Sequence, residues 1–282
     1  MCSLRLLAIL FCASIAYCTY NGDHVGWKRH PYLVKILTRD MDTKNITTCS
    51  GTLISPSTVL TSAKCFPGKT DRLQSQAIIP IQESTKTFNR AMLDVLIQQD
   101  TAIMRIDPIS EKNFCNKPFH PSAVSRLNMK PSLTEATFKS VDVKDLTSYR
   151  CRIVGFKTNE NVENFSTNED VEIVDVEVRD TSNTLMFSEV FSNSTGSACW
   201  DDLGAPLECA LDEDTFYTQV GFVHSIYTSG LTNEMEIANT TCADVKSTEY
   251  VVFGDLSIAI AIENADISGV FGAQHRCFHK TL

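Results

Sequence analysis

A chain of 282 residues, 43% of them hydrophobic, is long enough to bury one sizeable core or two. Its formal net charge of −9 excludes the basic face that nucleic acids and anionic membrane surfaces require. No apolar run after the N-terminal segment reaches the length of a membrane span, so we expect neither a nucleic acid nor a membrane as a partner.

Residues 1–18 predict a signal peptide. Their single charged residue precedes an apolar run over residues 6–13, which is too short to span a bilayer. The rule of small residues at the cleavage site allows cleavage after Ala16 or after Cys18. We therefore expect a secreted, extracellular protein, which covers residues 19–282 if the second site is used.

Short β-rich runs separated by turn residues recur along the chain, at the spacing typical of all-β barrels and sandwiches. The predicted strands are Tyr32–Leu37, Gly51–Ile54, Thr58–Thr61, Ala77–Ile81, Thr101–Ile106, Arg152–Phe156, Val171–Val178, Thr218–His224 and Tyr250–Phe253. Apolar and acidic residues alternate within Val171–Val178, which predicts a half-exposed strand.

Two blocks bounded by cysteines stand out in the sequence. Residues 49–65 read C-S-G-T-L-I-S-P-S-T-V-L-T-S-A-K-C, and residues 199–209 read C-W-D-D-L-G-A-P-L-E-C. The first block resembles the segment of trypsin-like serine proteases that reads C-G-G-S-L-I-S-P-x-W-V-L-T-A-A-H-C, and the second resembles their C-x-G-D-S-G-G-P-L-x-C. Residues 100–106, D-T-A-I-M-R-I, are similar to the family's D-I-A-L-L-x-L, and residues 151–156, C-R-I-V-G-F, to its C-x-V-x-G-W.

The resemblance places the catalytic triad in this chain, and two of its three positions carry other residues. Lys64 stands in place of the general base and Leu203 in place of the nucleophilic serine, while Asp100 retains the carboxylate. Asp201 replaces the glycine whose N–H faces the oxyanion. An ammonium with a pKa of about 10.4 keeps its proton at neutral pH, and a leucine has no nucleophilic atom. These losses imply a catalytically inactive homologue, a pseudoprotease.

The other positions of the cleft are less well defined. Asp100 also has a simpler interpretation, as an aspartate at the edge of a strand. If the resemblance holds, Lys64 and Asp100 are neighbours, and we expect an ion pair between them. Ser197 takes the position at the base of the substrate pocket, where a serine would not select lysine or arginine. Over Val220–Ile226 the family's G-x-x-S-W-G is matched only with a one-residue shift.

A mature chain that begins at Thr19 would have its terminus where the family's activation cleavage leaves it. Gly22 lies nine residues before Pro31 of P-Y-L-V, as the family's I-V-G-G end does. Asp202 occupies the position of the aspartate that binds the new ammonium, so one hypothesis is a Thr19–Asp202 ion pair that forms without a zymogen step. The alternative is a disordered terminus and an exposed Asp202.

Eleven cysteines are present, and eight remain if Cys2, Cys12 and Cys18 leave with the signal peptide. An even number favours disulfides in an extracellular domain. The resemblance implies the pairs Cys49–Cys65, Cys151–Cys209 and Cys199–Cys242. Cys115 and Cys277 are left to pair with each other, and Cys18–Cys115 competes if Cys18 is retained. The chain has no C-x-x-C and no histidines at ligand spacing from cysteine, so we predict no metal and no cofactor.

Four N-x-S/T sequons predict glycosylation in surface loops, at Asn45, Asn164, Asn193 and Asn239.

The resemblance implies an all-β fold of two six-stranded antiparallel β-barrels with a short C-terminal helix, over Leu256–Glu263. We expect the first barrel over about residues 19–130 and the second over about 131–264, with the boundary near residues 125–145. The tail, residues 265–282, has no assigned role.

Three hypotheses compete for the function. The first is a secreted non-catalytic homologue that binds an extracellular protein, a protease or another component of a protease cascade, in immunity or in reproductive and seminal fluids; the resemblance to inactive homologues of insect haemolymph and seminal fluid implies it. A decoy for inhibitors or substrates of an active relative is a variant of this hypothesis. The second is a hydrolase with rewired chemistry that pairs Lys64 with a serine. The third is a β-sandwich recognition module whose likeness to proteases is accidental.

Overall fold

The computed structural model describes residues 22–80, 87–109, 124–127, 129–132, 137–140, 149–157, 171–180, 185–189, 196–210, 217–229, 233–234 and 242–253, and Val270, Ala273 and Cys277 of a helix. The strands in chain order are β1 (Asp23–Val25), β2 (Leu33–Asp40), β3 (Ile46–Ser55), β4 (Thr58–Ser62), β5 (Leu73–Pro80), β6 (Thr87–Gln98), β7 (Thr101–Ile106), β8 (Met129–Ser132), β9 (Thr137–Ser140), β10 (Cys151–Phe156), β11 (Val171–Val176), β12 (Val178–Asp180), β13 (Leu185–Glu189), β14 (Pro206–Cys209), β15 (Thr218–Ser229), β16 (Asn233–Glu234) and β17 (Ser247–Val252). All their pairings are antiparallel.

Six strands close into the first barrel, in the spatial order β2-β3-β4-β7-β6-β5. Successive side chains of a strand point to opposite faces, so alternate apolar residues of these strands fill the barrel. Its core includes Val34, Ile36, Leu53, Val59 and Met104, all buried.

The second sheet has the order β1-β11-β10-β14-β15-β17-β13-β12, with β16 paired to β15. Only Glu177 separates β11 from β12 along the chain. Because β11 pairs with β10 and β12 pairs with β13, the two ends of this order meet in one continuous stretch of chain. Six strands therefore form the second barrel, β1 adds to it from outside, and the predicted fold class is confirmed.

Two apolar clusters join the barrels. In one, Trp27 and Leu33 pack with Val154 and Phe156 of the second barrel, and the Trp27 and Phe156 rings meet edge to face with centroids 4.7 Å apart. In the other, Ile54, Leu60 and Ile103 of the first barrel pack with Phe222, Val251 and Phe253 of the second. The cleft between the barrels is therefore built on a shared core, which fixes the geometry of any site along it.

Each predicted strand coincides with an observed one, and Thr101–Ile106 has the predicted bounds. Among the barrel strands, β6, β13 and β14 were missed, and so were β1, β8, β9 and β16. β6 carries polar residues on both faces, and β14 has four residues and opens on Pro206. Neither therefore shows the alternation that identifies a half-buried strand.

The expectation of a half-exposed strand at Val171–Val178 is wrong for its first acidic residue, Glu172. Glu172 is 1% exposed, although its neighbours along the pattern, Asp175 and Glu177, are exposed. β1 pairs with this end of β11 and places His24 Nδ1 3.1 Å from Glu172 Oε1. The carboxylate is buried because a strand from the N-terminal segment covers it.

The helix predicted at Leu256–Glu263 lies outside the described residues. Helical structure occurs further on, at Val270, Ala273 and Cys277. These positions lie on one face of a helix. Val270 is fully buried in the cluster between the barrels, and Cys277 packs against the first-barrel core. The C-terminal tail thus contributes to the shared core through Val270. Within the described residues, no helix has the length and apolar content of a membrane span.

Three predicted disulfides are confirmed, Cys49–Cys65, Cys151–Cys209 and Cys199–Cys242. Cys277 is disulfide-bonded to a residue outside the described ranges, and Cys115 and Cys18 also lie outside them, so the Cys115–Cys277 pair stays a prediction. Of the sequons, Asn45 lies in the exposed turn before β3. Asn164, Asn193 and Asn239 lie outside the described residues.

A polar network links the segment before β2 to the second barrel. His30 Nδ1 lies 2.8 Å from the Tyr32 hydroxyl, which donates to the Glu208 carboxylate. Arg152 donates to the other oxygen of Glu208 at 2.9 and 3.1 Å, and its guanidinium lies 3.6 Å from the centre of the Tyr217 ring. His30 and Glu208 are buried, whereas Tyr32, Arg152 and Tyr217 are partly exposed, so the network is shielded from water at its His30 and Glu208 side chains.

Replacing His30 with glutamine should flatten the pH dependence of stability. Burial and the nearby Arg152 and Arg29 guanidinium groups lower the pKa of His30 from 6.5 to about 3. His30 is thus neutral in the folded state and takes up a proton on unfolding below pH 6.5. The stability that depends on the neutral imidazole is complete above about pH 6.5 and is lost as pH falls toward about 3. We expect the free energy of unfolding of the wild type to fall faster than that of His30→Gln, by up to about 1.4 kcal/mol per pH unit in that window. Urea unfolding at several pH values measures the difference; parallel curves would contradict it.

Candidate functional site

The positions that the resemblance assigns to the catalytic triad lie where the two barrels meet. Leu203 packs against the cores of both. Its turn is tied to the first barrel by the Ser50 amide, which donates to the Leu203 carbonyl at 2.9 Å. It is tied to the second by the Gly204 amide, which donates to the Val223 carbonyl at 2.8 Å. The side chain at the nucleophile position is thus apolar and packs between the cores of the two barrels.

Lys64 lies in a 3₁₀ turn, Ala63–Cys65, which follows β4. Ser62 caps this turn, because its hydroxyl accepts the Lys64 amide at 3.3 Å. The side chain reaches across to β15, where Nζ donates to Ser225 Oγ at 2.6 Å. The side chain of Lys64 thus links the first barrel to β15 of the second.

Asp100 lies in the turn between β6 and β7, next to the Lys64 turn. Gln99 before it has a positive φ of 50°, and the Asp100 carbonyl accepts the Ala63 amide at 2.9 Å. The carboxylate faces β15, with Oδ1 3.5 Å from His224 Nε2. The turn thus brings the third triad position to the cleft.

The expected Lys64–Asp100 ion pair is wrong. Lys64 is bonded to Ser225, and Asp100 pairs with His224. The expectation assumed a partly buried carboxylate, whereas the Asp100 side chain is 52% exposed and is solvated by water. Lys64 instead donates to a buried hydroxyl.

Sequence reasoning missed His224 and Ser225 as members of the site. The pairing of β15 with β17 shifts register between Val223 and Ser225, which leaves His224 as the extra residue of a β-bulge. The bulge lies within Val220–Ile226, the segment in which the family pattern is matched only with a one-residue shift. The shifted pattern was the signal in the sequence. In the structure, the bulge directs His224 toward Asp100 and Ser225 toward Lys64.

The turn at the oxyanion position is closed on itself. Trp200–Asp202 form a 3₁₀ turn in which the Asp202 amide donates to the Cys199 carbonyl at 2.8 Å. The Leu203 amide donates to the Trp200 carbonyl at 3.4 Å. An oxyanion hole needs backbone N–H groups directed into the cleft, and the Asp202 and Leu203 N–H groups are bonded within the turn instead.

Asp201 is drawn away from the cleft by a buried lysine. Its Oδ2 lies 3.7 Å from Nζ of Lys35, whose side chain is only 2% exposed. The ammonium also lies 5.5 Å from the centre of the Phe156 ring. The Ser50 hydroxyl donates to the Asp201 carbonyl at 2.9 Å. The residue that replaces the oxyanion glycine is thus held by its side chain and its backbone.

Asp202 is fully buried, so the alternative in which it is exposed is wrong. Its Oδ2 accepts the Cys199 amide at 2.8 Å and so caps its own turn. Thr19 lies outside the described residues, and the Thr19–Asp202 pair stays a prediction. Ser197 is 4% exposed, and its hydroxyl donates to the Cys242 carbonyl at 3.3 Å. In the described part of the chain, no three His, Cys, Asp or Glu side chains converge as a metal site would require.

The fold and the order of these positions define a class of protein. The family described as Trypsin matches residues 20–246, and the chain belongs to this family. Among solved structures it is similar to the scabies mite inactivated protease paralogue S-I1, with 16% identity, a TM-score of 0.54, and coverage of 86% of this chain and 97% of that one. At this identity the likeness concerns the fold alone. No curated protein sequence matches the chain.

Proposed function

We propose that this chain is a secreted, non-catalytic member of the trypsin family that works by binding an extracellular protein. The observation that supports this best is the pair of side chains at the two reactive positions. Leu203 presents a hydrocarbon packed between both cores, and Lys64 donates to Ser225. A family fold that keeps its frame without its reactive groups remains useful as a scaffold for recognition.

The partner class follows from the family and from the secretory features of the chain. A signal peptide, disulfides and sequons suit an extracellular protein. Its partner would be a protease or another component of a protease cascade, in immunity or in reproductive fluid. The scabies mite neighbour is named as an inactivated protease paralogue, which indicates that this fold can be retained without activity. A decoy that captures inhibitors is disfavoured, because Asp201 and Leu203 reshape the cleft that such inhibitors enter.

A second candidate, a hydrolase built on Lys64, has one observation in its favour. Lys64 Nζ and Ser225 Oγ lie 2.6 Å apart, within the hydrogen-bond reach of a nucleophile and its base. Against it, Ser225 is 1% exposed, so a substrate carbonyl cannot approach its hydroxyl.

The purified, secreted chain should neither turn over peptide and ester substrates nor react with a fluorophosphonate probe. The reason is that no accessible hydroxyl stands at the nucleophile position and the Leu203 amide is engaged. An active trypsin-like protease in parallel is the positive control, and intact-mass spectrometry counts the labelled molecules.

The variant Ser225→Ala separates the two candidates. Labelling or turnover that disappears in Ser225→Ala would overturn the non-catalytic proposal in favour of the hydrolase. Activity that persists in both Ser225→Ala and Lys64→Ala would come from a contaminant, and would be removed by a further purification step.

A further inference from the structure

A groove opens at one end of the first barrel, away from the degenerate triad. Strands β2, β3, β5 and β6 form it, and its volume is about 660 Å³. We call it the barrel-end groove and define it by Leu37, Arg39, Ile46, Leu73, Gln76 and Met92. A volume of this size lies within the range of pockets that bind ligands. The groove is thus large enough to hold a few side chains of a partner.

The groove combines an apolar floor with amide groups. Leu37, Leu73 and Met92 are partly buried in it, and Leu73 and Met92 rest on the first-barrel core. Gln76 on β5 and Asn89 on β6 also line it. An amide side chain offers both donors and acceptors, which is what the backbone of an extended peptide needs.

The lip of the groove carries one exposed apolar residue and one exposed cation. Ile46 is 56% exposed, and it lies directly opposite Arg39 in the β2–β3 register. Arg39 is the only charged residue among those that line the groove. Its guanidinium has no ion pair with any residue in the described ranges, whereas the nearby Arg72 is paired with Asp42. An arginine without a carboxylate beside it, in a chain of net charge −9, is a local site for an anionic group.

We infer that the barrel-end groove binds an extended segment of the partner protein that presents a carboxylate next to a large apolar side chain. The carboxylate would pair with Arg39, the apolar side chain would cover Ile46 and the floor, and Gln76 would bond to the segment's backbone. This inference rests on the proposed binding function and adds the recognition chemistry. It does not involve the cleft at Lys64, because none of the residues that line the groove contributes to that cleft.

A peptide display experiment on the intact secreted chain tests the inference. Random peptides selected on the immobilised protein should share an acidic residue beside an aliphatic or aromatic one. The tightest synthetic peptide should lose at least about tenfold in affinity with Arg39→Glu and with Ile46→Asp, measured by fluorescence anisotropy. A peptide in which lysine replaces the acidic residue should recover binding to Arg39→Glu.

Two matched variants control for surface charge and surface apolarity. Arg105→Glu reverses another exposed arginine, on β7, and Leu93→Asp replaces another exposed apolar residue, on β6, at 57% exposure. Both should bind the peptide as the wild type does. Equal losses in these controls, or no enrichment of acidic and apolar pairs, would overturn the inference. Because the test measures binding only, these results leave the non-catalytic proposal intact, whereas substrate turnover would refute that proposal directly.

Two further outcomes would assign the groove to another occupant and so overturn the inference. Asn45 precedes Ile46 and lies in a sequon, so Thr47→Ala provides protein without that glycan. Peptide capture by Thr47→Ala alone would indicate that the chain's own glycan covers the groove. A dimer in sedimentation that Ile46→Asp dissociates would indicate a second copy of the chain. We expect both the wild type and Thr47→Ala to capture the peptide, and the wild type to sediment as a monomer.

Discussion

Replacing Gly204 with alanine should prevent the chain from reaching its folded state. Gly204 follows Leu203 with a φ of +83°, a conformation that residues with a Cβ adopt reluctantly. A Cβ at this position would lie 2.0 Å from Thr61 Oγ1 and 2.2 Å from the Ser50 carbonyl oxygen. These atoms bond to each other at 2.6 Å inside the first barrel, so they have nowhere to move. We expect a loss of more than about 4 kcal/mol, seen as failure of the soluble chain to be secreted.

Gly68→Ala is a matched control for the backbone contribution. Gly68 has a φ of +91°, and a Cβ there would meet nothing within 4 Å. It should cost only about 1–2 kcal/mol in thermal unfolding. Adding Thr61→Ala to Gly204→Ala should not restore secretion, because the overlap with the Ser50 carbonyl remains. Normal secretion of Gly204→Ala, with stability close to that of Gly68→Ala, would show that the two barrels separate easily at this turn.

Three disulfides, and the turns that carry Lys64 and Leu203, could be predicted because their information is local. Cysteines, a glycine and a proline at fixed spacing define the turns at residues 49–65 and 199–209 whatever the rest of the chain does. Leu203 and Lys64 lie on those turns, so predicting the turns also predicted where these two residues lie in the fold. The strand at Thr101–Ile106 was equally local, because its apolar residues are consecutive and its bounds are turns.

The partners of those residues could not be predicted, because they depend on register. Ser225 reaches Lys64 only because β15 has a bulge at His224, and the bulge is defined by pairing with β17. A shifted motif in the sequence shows that one residue is extra, but it does not show which side chain faces the cleft. Lys35 is similar, since its position in an apolar run of β2 says nothing about the acidic group that it meets. Long-range contacts of this kind are absent from any local pattern.

Asp201→Ala should destabilise the chain by about 3–5 kcal/mol, although it changes only one side chain near the cleft. The reason is Lys35, whose ammonium lies 3.7 Å from the Asp201 carboxylate with its side chain 2% exposed. Removing one partner of a buried pair weakens the compensation of the other charge in an environment of low dielectric constant. The free energy of unfolding in urea measures the loss.

Asp42→Ala is the matched control, because it also removes an aspartate from an ion pair with a basic residue. Asp42 and Arg72 are 57% and 55% exposed, so water compensates both charges and we expect a loss below about 1 kcal/mol. A loss in Asp201→Ala that is no larger than in Asp42→Ala would mean that the Lys35 ammonium reaches water.

The double variant Lys35→Met with Asp201→Leu decides what the pair is for. Replacing both charges with apolar side chains of similar size removes the desolvation cost, so most of the lost stability should return. If it does, the pair is not needed for stability, and its effect lies in the conformation of the Trp200–Asp202 turn, which keeps the Leu203 amide bonded to the Trp200 carbonyl. Hydrogen exchange of the Leu203 amide should then be faster in the double variant than in the wild type. Unchanged exchange would mean that the packing of Leu203 between the two cores, and not the buried charges, holds the turn closed.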